Sequence, residues 1–396
     1  MENTFTFVGK IKPIKKTDKF NPYSKTTFDS GWEIQRLSFN MICDTNRHIL
    51  EIQSGKFTDD SKNTIYTLSK SYTDDNGVKH KCEPKQIPFK DRFNKDIIDS
   101  VASFKKFVVE LDKPNYRNQL RNAIDNFKDG TITDEQMESL NCHSIEEVEK
   151  ELKNSESKRH EFISEYDFLK CVNQILSDSN YESKLFRVSG TVNYTYNPER
   201  DSFYQHLTPT KIYLVDDETE PQSIMNLQVF FNKDSLDTDS FENNGKYYLN
   251  GYLRQYVKDY VNHNISVPIT LTIDGNGDEI NLKKANLFKK RLTQFNEAEW
   301  KEIGLKCVAI NGAERIEITE DDLTDEQKEN IECGLTTFEA IKRDLGGTTF
   351  GDRICEIRVD SFGKGYTTCG AQDTVYTDED FAKPQLDGLE DEDIFI

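Results

Sequence analysis

Between Lys184 and Ile273 the chain carries five runs of strand-forming residues in close succession: KLFRVSGTVNYTY, SFYQHLTPTKIYLV, SIMNLQVFF, KYYLNGYLRQYV and ISVPITLTI. Each is rich in Val, Ile, Thr, Tyr and Phe and is bounded by Asn, Asp, Gly or Pro clusters, the pattern of strands joined by short polar turns. In the first run Leu185, Arg187, Ser189 and Thr191 alternate with Phe186, Val188, Gly190 and Val192, so one face is apolar and the other can meet water. Gly190 and Gly251 fall inside strand patterns, where a missing side chain marks a bulge or sharp bend and lets a small sheet curl shut.

Five long, bent antiparallel strands in one block predict an oligonucleotide/oligosaccharide-binding barrel, the OB-fold. A small sandwich is the rival architecture. Residues 3–55 repeat the barrel pattern. FTFVGKIKP alternates, and WEIQRLSFNMIC and RHILEIQSGKF form a strand pair joined at Asp44-Thr45-Asn46. A hairpin around Asp75-Asn76-Gly77, a helical piece DIIDSVAS and a strand KKFVVELD follow. Thr133-Asp134-Glu135-Gln136 and Ser144-Ile145-Glu146-Glu147 read as helix-capping boxes. Phe162, Tyr166, Leu169, Cys171, Val172 and Ile175 give a further helix an apolar stripe. Asn296 to Ile303 reads as a capped helix.

The expected fold is mainly β with α+β additions: two OB-fold-like five-stranded barrels joined by a helical connector, a small C-terminal α+β unit and a disordered acidic tail. The expected divisions are 1–113 and 183–290 for the barrels, 114–182 for the connector, 291–375 for the α+β unit and 376–396 for the tail.

The loop from Lys10 to Trp32 is the most informative functional segment. Lys10, Lys12, Lys15, Lys16, Lys19 and Lys25 are interleaved with Phe20, Tyr23, Phe28 and Trp32, and Pro13 and Pro22 hold the segment extended. Cations for phosphates and flat rings for bases are what a sequence-tolerant channel for single strands needs. Arg36 follows in the next strand, and the strand block adds Arg187, Tyr194, Tyr196, Arg200, Tyr204, Lys211, Tyr213 and Arg254 on faces that can be wet. The competing reading is structural: Tyr is a favoured strand residue, and a lysine-rich loop also serves solubility.

A formal charge of -20 argues at first against a polyanionic partner. Its distribution changes that conclusion. Residues 376–396 hold eight Asp or Glu against one Lys, whereas residues 10–25 hold six Lys against one Asp. The eight cysteines form no C-x-x-C pair, so they read as reduced thiols with no zinc motif. Asp274-Gly275-Asn276-Gly277-Asp278 starts like a calcium loop, but Glu279 and Ala285 stand where its glycine and glutamate belong. No phosphate loop, nucleophile elbow or metalloprotease pair is present. We therefore expect a non-enzymatic protein with no cofactor and no metal. No apolar run approaches a membrane span and the N-terminus lacks the features of a signal peptide, so the expected location is cytoplasmic.

The chain ends QLDGLEDEDIFI, acidic and then apolar, a form that a pocket beside a basic patch can capture. In its OB-fold body, flexible arm and acidic tail with an apolar tip, the chain resembles the replicative single-stranded DNA-binding proteins of bacteria and their phages. In that family the tip recruits replication, recombination and repair proteins. Asp391, Glu392, Asp393, Ile394 and Phe395 look like its acidic-Asp-Ile-Pro-Phe ending, but the proline is missing and Ile396 is added. The bacterial family has one short barrel per subunit and forms tetramers, so two barrels look closer to phage-encoded versions. The resemblance implies a protein that coats single-stranded DNA as a homo-oligomer or cooperative filament and recruits partners through Asp391 to Ile396. The alternative is an acidic β-rich virion component or DNA-mimicking inhibitor whose barrels only present surface.

Overall fold

The computed structural model describes residues 3–385 apart from 74–76, 259, 261–262, 295–299, 318–322, 345–347 and 364–375. The chain is mainly β, and most of its strands belong to one large mixed sheet that curls into two rings. β1 (Thr4–Pro13) belongs to the first ring and changes partner along its length. β2 (Trp32–Cys43) and β3 (Asn46–Phe57) form a long hairpin whose turn places Asp44 at φ 55, a left-handed conformation that Asp tolerates. β4 (Phe107–Glu110) follows an inserted segment, and β5 (Phe186–Asn197) and β6 (Ser202–Leu214) complete the ring. Residues Thr4–Gly9 of β1 pair with β5, and Lys10–Pro13 pair with β2. β6 pairs with β5 along its whole length and, in parallel, with β4 at Lys211–Tyr213.

The second ring contains β7 (Gln222–Phe231), β8 (Lys246–Tyr256), β9 (Asn264–Asp274), β10 (Lys301–Glu317) and β11 (Thr348–Phe362). Its pairing runs β7–β10–β11–β9–β8 and returns to β7 through Phe230↔Tyr252. All neighbours are antiparallel except β9 and β11. Thr4–Val8 of β1 also pair with β7, so the first strands of the two rings lie side by side.

Alternation sets the core. Phe5, Phe7, Leu37, Phe39, Met41, Leu50 and Ile52 fill the first ring, and Met225, Leu227, Val229, Leu249, Leu253, Val267 and Leu271 fill the second. They form one continuous apolar cluster. Both glycines singled out above sit where a side chain has no room. The β5–β6 register shifts at Ser189/Gly190, and a Cβ on Gly190 would lie 2.0 Å from the Thr208 carbonyl oxygen. A Cβ on Gly251 would lie 2.7 Å from the Phe230 oxygen, where β8 crosses β7 to close the ring.

Four longer helices complete the layout: α1 (Pro114–Lys128), α2 (Ile145–Ser157), α3 (Glu165–Ser177) and α4 (Glu279–Leu292). α3 buries Phe168, Leu169 and Val172 against the first ring, and α4 buries Ala285, Phe288 and Leu292 against the second. α3 comes just before β5 in the chain, and α4 comes between β9 and β10. α1 and α2 build a separate small core around Leu120, Ala123 and Val148. They are tied to β4 by buried Arg117, whose guanidinium donates twice to the Glu110 carboxylate. Ser144 caps α2, and Thr133 caps the short helix Asp134–Ser139.

The strand grouping differs from the divisions expected from sequence. β5 and β6 return to the first ring, so the helices at 114–182 are inserted within it instead of linking two finished barrels. β10 and β11 close the second ring, so residues after 291 supply strands to it and not a separate α+β unit. Lys301–Ile303, read as the end of a helix, begin β10 because they pair with Val229–Phe231. Asp75 and Asn76 of the expected hairpin lie outside the described residues, while Tyr72–Thr73 and Lys79–His80 pair on either side of them. No described helix is long and apolar enough to cross a membrane.

Candidate nucleic-acid interface

With Leu37, Phe39 and Met41 turned inward, β2 must present Trp32, Ile34 and Arg36 on the outside of the first ring. Across the hairpin these meet Phe57, Gly55 and Gln53. The Trp32 indole meets Phe57 edge-on at 4.9 Å and lies across Gly55, where a Cβ would come within 2.4 Å of it. Arg36 donates to Gln53 Oε1 at 2.9 Å and pairs with Glu51 at 2.9 Å. Glu51 also lies 3.6 Å from His206 Nδ1 of β6. That contact spans an edge at which β3 and β6 share no ladder among the described residues. The His206 ring hydrogen-bonded to Glu51, aided by Arg36 and opposed by burial, holds its carboxyl below the usual range. Over this seam lies an open groove of about 630 Å³, lined by Arg36, Gln53, Asn193, Tyr204, His206 and Thr208. Glu165, first residue of α3, also borders the groove, and burial pushes its carboxyl up to about 7.

The basic loop joins β1 to β2 at one end of this face. Lys10, Lys15, Lys16 and Lys19 are exposed, as are the rings of Phe20 and Phe28, whereas Lys12 and Trp32 are half-buried. A short strand, Tyr23–Thr27, pairs with β2 and turns Tyr23 onto the core. It also aims Lys25 at buried Glu33, 2.8 Å away. Burial pushes the Glu33 carboxyl up, but hydrogen bonds from Lys25 and Tyr166 outweigh it and hold the group low. Lys15, Lys16 and Lys19 are thus exposed at the loop's tip, and Lys25 is already partnered.

The turn between β5 and β6 carries Arg200, whose guanidinium donates to Tyr204 Oη at 3.3 Å. Tyr196 donates to Asp201 at 2.8 Å and packs on Phe203 at 4.9 Å. Tyr194 is turned toward the core, with its amide donating to Gln255 of β8. Arg187, Lys211 and Tyr213 sit together at the other end of this hairpin, beside β4. The structure therefore places Arg36 and Tyr204 in the groove, with Arg200 on Tyr204, sets Trp32 four residues before Arg36 on β2, leaves the loop lysines exposed, and separates Arg187, Lys211 and Tyr213 from them.

Arg254 lies on the second ring. Its guanidinium is 3.5 Å from Asp380 and 5.3 Å from the Tyr376 ring. The neighbours that matter there, Tyr252, Trp300 and Phe381, did not stand out from sequence as a set. The only signal available was an isolated Phe inside the acidic stretch Asp378-Glu379-Asp380-Phe381. Asp391 to Ile396 lie outside the described residues. Among the described residues no group of three or more His, Cys, Asp or Glu is placed to hold a metal.

No family model matches this chain, and no curated protein matches its sequence. Solved structures that align with it include the wild-type single-stranded DNA binding protein from Thermus aquaticus, at 8% identity over 78% of this chain and 85% of that one, with a TM-score of 0.27. A deletion mutant of the same protein aligns at 8% identity over 78% and 86%, with a TM-score of 0.25. At such scores the likeness is too slight to bear on fold or function.

Proposed function

We propose that this chain is a non-enzymatic single-stranded DNA-binding protein that lays the strand across the outward face of its first ring. With β4 set aside, both rings share one order: the first strand is flanked by the second and fourth, the fifth stands between the fourth and third, and a helix separates the third from the fourth. We read both as OB barrels on that ground. In such barrels the face of strands two and three, with the loops joining strands one to two and four to five, holds oligonucleotides. Here those parts are β2, β3, residues 14–31 and residues 198–201, the segments carrying Trp32, Arg36, Lys15, Lys16, Lys19 and Arg200, with Tyr204 just beyond the last of them on β6.

The observation that carries the reading is an exposed loop of lysines and rings leading into β2, whose outward Arg36 lines an open groove, on a chain of strongly negative total charge. Exposed rings stack on unpaired bases at roughly 1–3 kcal/mol each, and flanking cations follow the backbone. The finer picture extends this. The protein coats single-stranded DNA in phage or mobile-element replication or recombination, alone or as a cooperative filament. Residues 391–396 recruit a replication or recombination protein.

The test is an oligo-dT titration at two salt concentrations, followed by tryptophan fluorescence. Binding should quench Trp32, and the affinity should fall with salt at a log–log slope of roughly -0.7 per phosphate neutralised. An unquenched signal with no salt-dependent binding refutes the reading.

A further inference from the structure

The equivalent face of the second ring, built from β8 and β9, is covered by the chain itself. Residues 376–385 cross it, and Phe381, only 7% exposed, lies flat on Trp300 at 3.9 Å and 24°. Tyr252 and Phe230 flank the same ring at 5.3 and 5.7 Å. The acidic residues around Phe381 are also engaged. Asp378 Oδ1 accepts from Trp300 Nε1 at 2.8 Å, Asp380 lies 3.5 Å from Arg254, and the Asp380 carbonyl accepts from Ser266 Oγ at 2.6 Å.

A flat ring stacked among aromatics, with an anion on the adjacent guanidinium, reproduces the chemistry of one nucleotide: base on rings, phosphate on Arg. The fit is incomplete, because Arg254 Nε is buried with no hydrogen-bond partner among the described residues. A buried donor left unpaired is costly, and a phosphate oxygen would satisfy it. The covering segment is held by one short turn, Asp378–Phe381, closed by Thr377 and Asp380. Beyond the turn, Lys383 pairs with Asp201 at the tip of the β5–β6 hairpin. That tip carries Arg200, which the proposed strand path on the first ring contacts.

We propose that Tyr252, Trp300, Phe230 and Arg254 form a second nucleotide site for single-stranded DNA, and that residues 376–384 are its displaceable occupant. The proposal rests on the reading of the chain as a single-strand binder. A strand bound to the first barrel and reaching the 198–201 turn competes for the contact that Lys383 makes with Asp201, which couples filling of the first site to opening of the second. The apparent affinity of the second site is lowered by the fraction of molecules in which it is closed.

The chain has two tryptophans, one on each face, so 5-fluorotryptophan labelling of the full-length protein gives one fluorine resonance for each. On titration with oligo-dT, the Trp32 resonance should move first and the Trp300 resonance only at higher DNA concentration. Phe381→Ala should bring the Trp300 response to roughly tenfold lower DNA. Asp380→Asn, which keeps the Phe381 side chain but removes the negative charge beside Arg254 and weakens the cap at Thr377, should move it in the same direction. Arg254→Ala should weaken the Trp300 response and leave that of Trp32 unchanged. A moving Trp32 with a Trp300 resonance that stays fixed in the parent and in both occupant variants overturns the proposal and leaves the first-barrel reading standing. Two fixed resonances with no binding overturn both.

Discussion

The two rings share a strand order but differ in how they close and in what covers them. In the first, β3 and β6 meet through Glu51 and His206 instead of a ladder, and the face above them is open. In the second, β9 and β11 pair directly at Leu271↔Ile357 and Thr272↔Arg358, and the matching face is covered by Phe381 and its acidic neighbours. One architecture thus presents a vacant surface with a basic loop and an occupied surface with an internal anion. Asp378 and Asp380 are engaged by Trp300 and Arg254 of the second ring, while the loop of residues 10–25 holds six Lys against one Asp. Binding capacity depends on local charge placement, not on the total.

The largest effect should come from stripping the open face. Changing Lys15, Lys16, Phe20 and Trp32 together to Ala removes two stacking rings and two cations, and should weaken oligo-dT binding on the order of a hundredfold or more. Fluorescence anisotropy with labelled DNA measures it. A loss of less than about threefold would move the binding surface elsewhere.

The next effect tests the closed ring. A methyl at Gly251 meets the Phe230 oxygen and Val229 Cγ1, each 2.7 Å away, and should cost about 1–3 kcal/mol of stability. Thermal unfolding of Gly251→Ala reports it, and an unchanged transition would contradict the β7–β8 crossing that closes this ring.

The smallest effect is one of pH and is confined to the first ring. Glu165 ionises at about 7 in the folded chain against an ordinary 4.5, because it is buried. It is therefore neutral below that point and negative above it, at the border of the groove. Affinity for DNA should fall a few-fold as pH rises from about 6 to about 8, and Glu165→Gln should flatten that slope. Because the folded chain holds this proton more tightly than the unfolded one, the group also removes stability progressively as pH rises from its ordinary value through about 7.

Much of this was legible in the residues. Alternation in Phe186–Val192, the crowding at Gly190 and Gly251, and the apolar stripe from Tyr166 to Ile175 each identify a local face or bend, and the fold uses them as such. Partner choice was not legible, because a period of two names the face of a strand but not its neighbour. The partners of Phe186–Thr191 lie at Thr4–Gly9, at the other end of the first ring's sequence. Helix α4 was hidden behind the calcium-like run, whose Asp278 proves to be its cap, accepting from the Asn281 amide. The same distinction holds at the site. The loop lysines and Trp32 stand out in sequence because they are neighbours in the chain. Trp300, Tyr252 and Phe381 converge only through ring closure, and Lys25 looked free until pairing of Tyr23–Thr27 with β2 aimed it at Glu33.

The most direct measurement is ultraviolet cross-linking of a bromodeoxyuridine oligonucleotide to the full-length protein, with the modified peptides identified by mass spectrometry. Cross-links should concentrate on the peptides containing Phe20, Trp32 and Tyr204. Cross-links confined to α1 and α2, or none at salt concentrations where the DNA is bound, would contradict the placement of the strand on the first ring.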